Sequence, residues 1–498
     1  MKVGIIEDLN NCTYRQKKMD NTPAEIYVLC CPIIIFDVTN HCSSVDVIAI
    51  FDIGKTNKKF LLFDSMLNIV YRDEKVFAEI PDDDGSPSDD ISAIESWMRS
   101  CLKEQIEKGD FEIRGLNFAA YGASLVHLDV AGHRVAPLYN YLNDMPEGVL
   151  EGFYDEWGGI SEFCRKTASP ALGMLNSGLQ LLWLKRKKPQ LFSEIKSSLH
   201  LPQYLSYLFT GKKMADYTSL GCHTAMWDFD TMKYHPWLKT ENIEPEAPVS
   251  HNTVLDADIE GMSLKTGIGI HDSSASLVPY LKTTDQQFIL ISTGTWCIFM
   301  NPFNSEPLTS EQLNNDTLCY LSINRQQVKA SRLFLGHIHD MNVVRLDDHF
   351  GVTGELFKTI RIRSKKIGKL LAARQGRVFF RNGIPPGYVD NEVDLSHYLT
   401  YADAYHQMMC DLVDVCMESL RQIIPADDRA EVVYITGGFA RNDSFVRILA
   451  ARLPDKRVFV SNIENSTALG AAMTVYESAF GTSLPPVYLG LKAIIDND

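Results

Sequence analysis

From Val45 onward the chain alternates between short apolar runs and glycine-bearing turns. Val47 to Phe51 is an unbroken apolar run, the pattern of a strand covered on both faces. Ile53-Gly54-Lys55-Thr56-Asn57 reads as a tight turn, Phe60 to Phe63 as a second strand and Asn68 to Val76 as a third. Between Ile91 and Lys108 the period changes, and Ile94, Trp97, Met98 and Leu102 share one helical face. Gly115 to Ala120 and Ala123 to Asp129 return to strand character and end in a turn at Ala131-Gly132.

The same order returns late in the chain. Gln287 to Met300 reads as strand, Gly/Thr turn, strand. Asp403 to Ile424 is an amphipathic helix with Tyr405, Met408, Met409, Leu412, Cys416 and Leu420 in register. Glu431 to Thr436 is a buried strand that runs into Gly437-Gly438; helix Asp443 to Leu453, strand Arg457 to Val460 and helix Ser466 to Phe480 follow. The pattern predicts two pseudo-repeated α/β halves, 45–283 and 284–498, with a cleft between them. Residues 1–44 show no clear period and are expected to be a disordered N-terminal extension.

Composition narrows the function classes. The 498 residues carry a formal net charge of −15, which argues against an electrostatic nucleic-acid binder. Eleven cysteines without a CxxC pair read as reduced, mostly buried thiols of a cytoplasmic protein. No apolar stretch is long enough to span a bilayer, and Ile26 to Phe36 is short, holds Pro32 and is followed by Asn40, His41 and Ser43, a poor cleavage site. The basic run Arg361 to Lys369 reads as solvated surface.

Phosphate binding needs backbone N–H groups that converge on anionic oxygens, and glycine permits the close approach. Three turns offer this. In the first, Asp52 ends a buried strand and Gly54, Lys55, Thr56 and Asn57 follow. Asp52 suits a water-bridged Mg²⁺, although an ordinary hairpin would use the same residues. Gly54-Lys55-Thr56 is not a P-loop, because Ala49 stands where the first glycine is required. The second turn, Ser292-Thr293-Gly294-Thr295, sets three hydroxyls around one glycine. The third, Thr436-Gly437-Gly438-Phe439-Ala440-Arg441-Asn442, links a buried strand to a helix, where a nucleoside or phosphate can lie against backbone.

Together these residues resemble the FGGY carbohydrate kinases of the actin/hexokinase/Hsp70-type ATPase group. DIGKTNKKFLLFD resembles the first phosphate hairpin, ISTGTW the second, and YITGGFARN with STALGAA the adenosine side. The resemblance runs from about Asp46 to Phe480 and is weakest between Leu321 and Asp394. It implies an α/β fold of two ribonuclease H-like, actin-like ATPase domains with an interdomain cleft. It also implies ATP and Mg²⁺ as cofactors, Asp52 at the metal, and Gly54, Thr56, Asn57, Lys58, Thr293, Gly294, Thr295, Gly437, Gly438 and Asn442 at the nucleotide.

The resemblance supplies the base as well. Family members carry an Asp shortly before the second hairpin, and here His271-Asp272 is similar to the fuculokinases and rhamnulokinases. Asp272 is therefore the expected catalytic base, whereas the residues alone would also read as a helix cap. On the sugar side Tyr121, Gly122, Ser124, Asn176 and Asp272 are the expected contacts. Ser124 stands where related ketose kinases often have Asp, and Gln180 replaces a frequent Lys; Trp183 reads as core, and Tyr217 and Thr218 as cleft-lining. The expectation is phosphoryl transfer to a monosaccharide, a ketose such as fuculose, rhamnulose or xylulose, by an enzyme without nucleic-acid or membrane partners and compatible with a homodimer. A non-catalytic sugar sensor and an actin-like ATP-dependent switch are the alternatives.

Overall fold

The computed structural model describes residues 44–373, 377–384, 388 and 393–494. Of the expected N-terminal extension only Ser44 falls among them.

The first sheet is built from β1 (Val45–Ile53), β2 (Lys58–Asp64) and β3 (Ile69–Lys75), followed by helix α1 (Ile91–Lys108) and strand β4 (Phe111–Ala120). After a long insertion that includes helices α2 (Ser177–Lys187) and α3 (Tyr217–Leu220), strands β5 (Val254–Ile259), β6 (Met262–Gly267) and β7 (Ile270–His271) complete it. The strand order is β5-β6-β4-β1-β2-β3, with β7 also beside β4. β1 runs antiparallel to β2 and parallel to β4.

Helix α4 (Asp272–Thr283) leads into the second sheet: β8 (Phe288–Thr293), β9 (Cys297–Asn301), β10 (Thr317–Leu321) and β11 (Gln327–Leu333). Helices α5 (Leu335–Phe350), α6 (Ser364–Ala372) and α7 (Tyr401–Ile423) follow, then β12 (Val432–Gly437), α8 (Asp443–Ala451), β13 (Arg457–Val460), α9 (Ser466–Phe480) and β14 (Lys492–Ala493). Here the order is β10-β11-β9-β8-β12-β13-β14, and β8 is antiparallel to β9 and parallel to β12. Each sheet thus repeats one motif, an antiparallel hairpin whose first strand gains a parallel neighbour on its other side.

The apolar run of β1 is explained by cover on both faces. Val47, Ala49, Phe51 and Ile53 pack with Ile91, Ile94, Trp97 and Met98 of α1. Ile48 and Ile50 point the other way, against Ala468, Ala472, Met473 and Val475 of α9. The final helix of the described chain therefore covers the first sheet. Helix α4, which follows the first sheet, sends Leu277 and Tyr280 onto Phe288, Leu290 and Tyr434 of the second. The two helices exchange sheets and cross where a Cβ on Gly470 would lie 1.9 Å from the Ala275 carbonyl oxygen. Asn117 stitches the same region: its amide donates to Ala471 O and Thr474 Oγ1, and its oxygen accepts from Gly269 N.

Candidate active site

At the first hairpin Gly54 N donates to Asn57 O at 3.0 Å, which closes the turn between β1 and β2. Thr56 is exposed at the tip, and Asn57 Nδ2 reaches Glu74 Oε2 at 2.8 Å. Asp52, at the strand end, is 7% exposed, and its cationic neighbour is Lys59, with Nζ 3.4 Å from Oδ2. Burial pushes the Asp52 carboxyl above the usual carboxylate range; Lys59 offsets part of this, and the negative charge of Asp272 adds to it. Asp52 and Asp272 thus sit close enough to feel each other.

Lys58 corrects the sequence reading. Its ammonium is buried, donating to Lys55 O at 2.7 Å and to Asp89 Oδ1 at 3.2 Å, so it braces the hairpin from within instead of facing a phosphate. Asp89 also receives Lys55 Nζ at 2.7 Å and the Tyr121 hydroxyl at 2.8 Å. Burial alone would raise the Asp89 carboxyl, but these bonds and the Lys58 charge hold it below the usual range. Tyr121, expected on the sugar, is therefore a buried partner of Asp89 through its hydroxyl.

Asp272 is the first residue of α4. Its Oδ1 accepts from Ser273 N at 2.5 Å and Ser273 Oγ at 3.2 Å, and His271 Nε2 lies 3.2 Å from the same oxygen. Among the described residues nothing donates to Oδ2, and the side chain is 32% exposed. One oxygen is anchored and the other is open. Burial holds His271 below the usual imidazole range, so a neutral ring faces the carboxylate, partly offset by the pull of Asp272.

The remaining sugar-side candidates are buried. Ser124 and Asn176 are 2% and 1% exposed. Asn176 Nδ2 donates to Pro170 O at 2.7 Å, while its Oδ1 finds no protein donor among the described residues. Gln180 donates to Ala123 O and Met174 O, and its Oε1 is unmatched in the same way. Two orphaned amide acceptors on one helix start are a cost that a hydroxyl-rich ligand would relieve.

The second hairpin and the glycine pair meet around a cavity of about 470 Å³ lined by Gly294, Thr295, Gly438 and Asn442. Thr293 lies beneath, donating from Oγ1 to Thr436 O at 2.5 Å and accepting from Phe439 N at 3.0 Å. Gly437 has φ +86°, and a Cβ there would fall 1.8 Å from Thr293 O, so the strands touch only because the residue is glycine. Asn442 caps α8 by accepting from Phe445 N at 3.1 Å and donates to the Tyr405 hydroxyl at 2.7 Å.

Sequence reasoning missed the opposite wall. Gly336, His339 and Asp340 of α5, with Phe357 and Lys358, complete the cavity. His339 bridges Asp340 Oδ1 at 2.8 Å and the Tyr405 hydroxyl at 3.0 Å. Gly336 N donates to Thr295 O at 3.0 Å, which docks the start of α5 on the second hairpin. The legible signal was a glycine inside the first turn of an amphipathic helix. Lys358 and Arg441 add positive charge to a wall suited to an anion. The run Arg361 to Lys369 is largely exposed, as expected.

Residues 47–245 match the model of the FGGY family of carbohydrate kinases, N-terminal domain. A rhamnulokinase of Halalkalibacterium halodurans is 23% identical over 444 residues, 84% of this chain and 88% of that protein. Among solved structures, a carbohydrate kinase from Novosphingobium aromaticivorans superposes with a TM-score of 0.72 at 22% identity, covering 91% of this chain and 94% of the other. A ligand-bound xylulose kinase from Lactobacillus acidophilus gives 0.70 at 16% identity, covering 91% and 93%. These structural likenesses bear out the α/β fold of two actin-like ATPase domains expected from the sequence. Residues 47–245 thus resemble the N-terminal domain of the FGGY family of carbohydrate kinases, within a chain whose fold is similar to that of solved sugar kinases.

Proposed function

We propose that this chain is an ATP-dependent sugar kinase that transfers the γ-phosphoryl group of MgATP to a hydroxyl of a monosaccharide, a ketose such as rhamnulose, fuculose or xylulose. The observation that carries this reading is Asp272, with one oxygen anchored and the other open at the start of α4. The open oxygen accepts the hydroxyl proton as the sugar oxygen bonds to the γ-phosphorus and the bond to the bridging oxygen of ADP breaks. Gly54, Thr56 and Asn57 from the first hairpin and Thr295 and Gly294 from the second hold the phosphates, and the cavity at Gly438 and Asn442 takes the nucleoside.

The donor set fits Mg²⁺ brought in by the nucleotide. No group of three or more His, Cys, Asp or Glu among the described residues forms a metal cage, and the buried, hard carboxylate of Asp52 is a suitable single protein contact. When bound, Mg²⁺ neutralises charge on the phosphates. Asp52 orients it, Asp272 takes the proton, and closure of the two halves on the cleft excludes water as a competing acceptor.

The cytoplasm suits this activity: Cys101, Cys164, Cys222, Cys297, Cys319 and Cys416 are buried thiols outside any disulfide. No helix among the described residues is long and apolar enough to cross a membrane. A coupled ADP-release screen over ketoses, aldoses and polyols tests the proposal. Sugar-dependent ADP release together with a sugar phosphate supports it. Slow ADP release indifferent to every sugar would overturn it in favour of an ATP-dependent switch, and sugar binding without ADP release in favour of a sensor.

A further inference from the structure

We infer that Thr218, locked by the buried carboxylate of Asp216, is a positioning residue that sets the orientation of Asp272; the inference rests on Asp272 being the base. Asp216 is 1% exposed, and its Oδ2 accepts from Thr218 N at 2.8 Å and Ser219 N at 3.3 Å. The same oxygen takes the Thr218 hydroxyl hydrogen. Having given that hydrogen away, Thr218 Oγ1 can act only as an acceptor. It accepts from His271 N at 3.0 Å, across 53 positions of sequence. His271 is the residue immediately before Asp272.

Capping of the short α3 helix explains the bonds to Thr218 N and Ser219 N. It does not explain why the hydroxyl reaches a distant backbone. That second bond holds the peptide leading into α4, where the missing Cβ of Gly122 leaves room for the His271 ring and Ser273 N holds one oxygen of Asp272. Together these contacts restrict how the Asp272 carboxylate can turn. Thr218 is fully buried, so it acts on the reaction through His271 and does not touch substrate.

The test compares Thr218→Val with Thr218→Ser in the sugar-dependent ADP-release assay, alongside nucleotide titration. Loss of the hydroxyl should lower kcat by about 10–100-fold, the scale of a misplaced catalytic group, while the KM for ATP stays at the parent value. Thr218→Ser, which keeps the hydroxyl, should restore turnover. If Thr218→Val does not fold, Thr218→Ala is read in the same way. A valine or alanine variant with parental kcat overturns the inference, as does a serine variant as impaired as valine. Asp272→Asn separates the two levels: if it retains turnover, the base assignment fails, whereas an inactive Asp272→Asn beside a fully active Thr218→Val sinks only the positioning role. A parent chain that turns over no sugar overturns both.

Discussion

Gly122 lies directly against His271: a Cβ at position 122 would sit 2.9 Å from His271 Nε2 and 3.0 Å from its Cδ2. The ring it would displace is the one that faces Asp272 Oδ1. Gly122→Ala should therefore lower kcat by about 10-fold or more by moving the base, with nucleotide affinity retained. Steady-state kinetics with a parallel nucleotide titration checks this, and equal losses in both would point to general misfolding instead.

Asp272→Asn keeps the size of the side chain and removes its ability to take a proton. The expected loss is about 10²–10⁴-fold in kcat, the usual contribution of a general base, with little change in nucleotide binding. Single-turnover measurements with the preferred sugar provide the check. A variant with near-parental kcat would remove Asp272 from the mechanism.

Thr293→Val deletes two buried hydrogen bonds, one to Thr436 O and one from Phe439 N. It leaves both backbone partners unmatched, at a cost of about 1–3 kcal/mol for each buried group. The variant should unfold at lower temperature and bind nucleotide more weakly, because the bonds join the second hairpin to the glycine turn. Thermal unfolding with and without ATP separates the two effects.

The buried histidines make the fold acid-sensitive. Burial pushes His127 down to about 4 and His200 to about 3. Both folded values lie below the usual 6.5. As pH falls below that value the unfolded chain takes up protons that the folded chain refuses, so stability is lost as pH falls from 6.5 toward the folded values. Each such histidine contributes a slope of about 1.4 kcal/mol per pH unit within its window. Melting temperatures from pH 7 to 4 should decline, and His127→Gln should flatten the decline; an unchanged slope in that variant would contradict the assignment.

What the sequence made legible was local. The period of Ile94, Trp97, Met98 and Leu102 gave α1 its limits, Ile91–Lys108, because a helix face is written within a few turns. The two hairpins were legible because glycine and hydroxyl residues interrupt apolar runs. The inward turn of Lys58 was not, since three lysines stand close together and its partner Asp89 arrives 31 residues later by tertiary contact. The wall of the cavity beside the second hairpin was equally hidden, because His339, in the stretch of weakest likeness, meets Tyr405 across 66 positions.

The exchange of helices between sheets has a consequence for biogenesis. While the ribosome is still synthesising the middle of the chain, the outward face of Ile48, Ile50, Leu61 and Phe63 is only partly covered, by Ala119, Ile270, Ala275 and Val278, since the rest of their cluster lies between Ala468 and Tyr476. The early half must wait, sticky and unfinished, for the chain's last long helix to emerge. A fragment ending at Thr283 should therefore be prone to aggregation, and supplying the missing helix in trans should rescue its solubility.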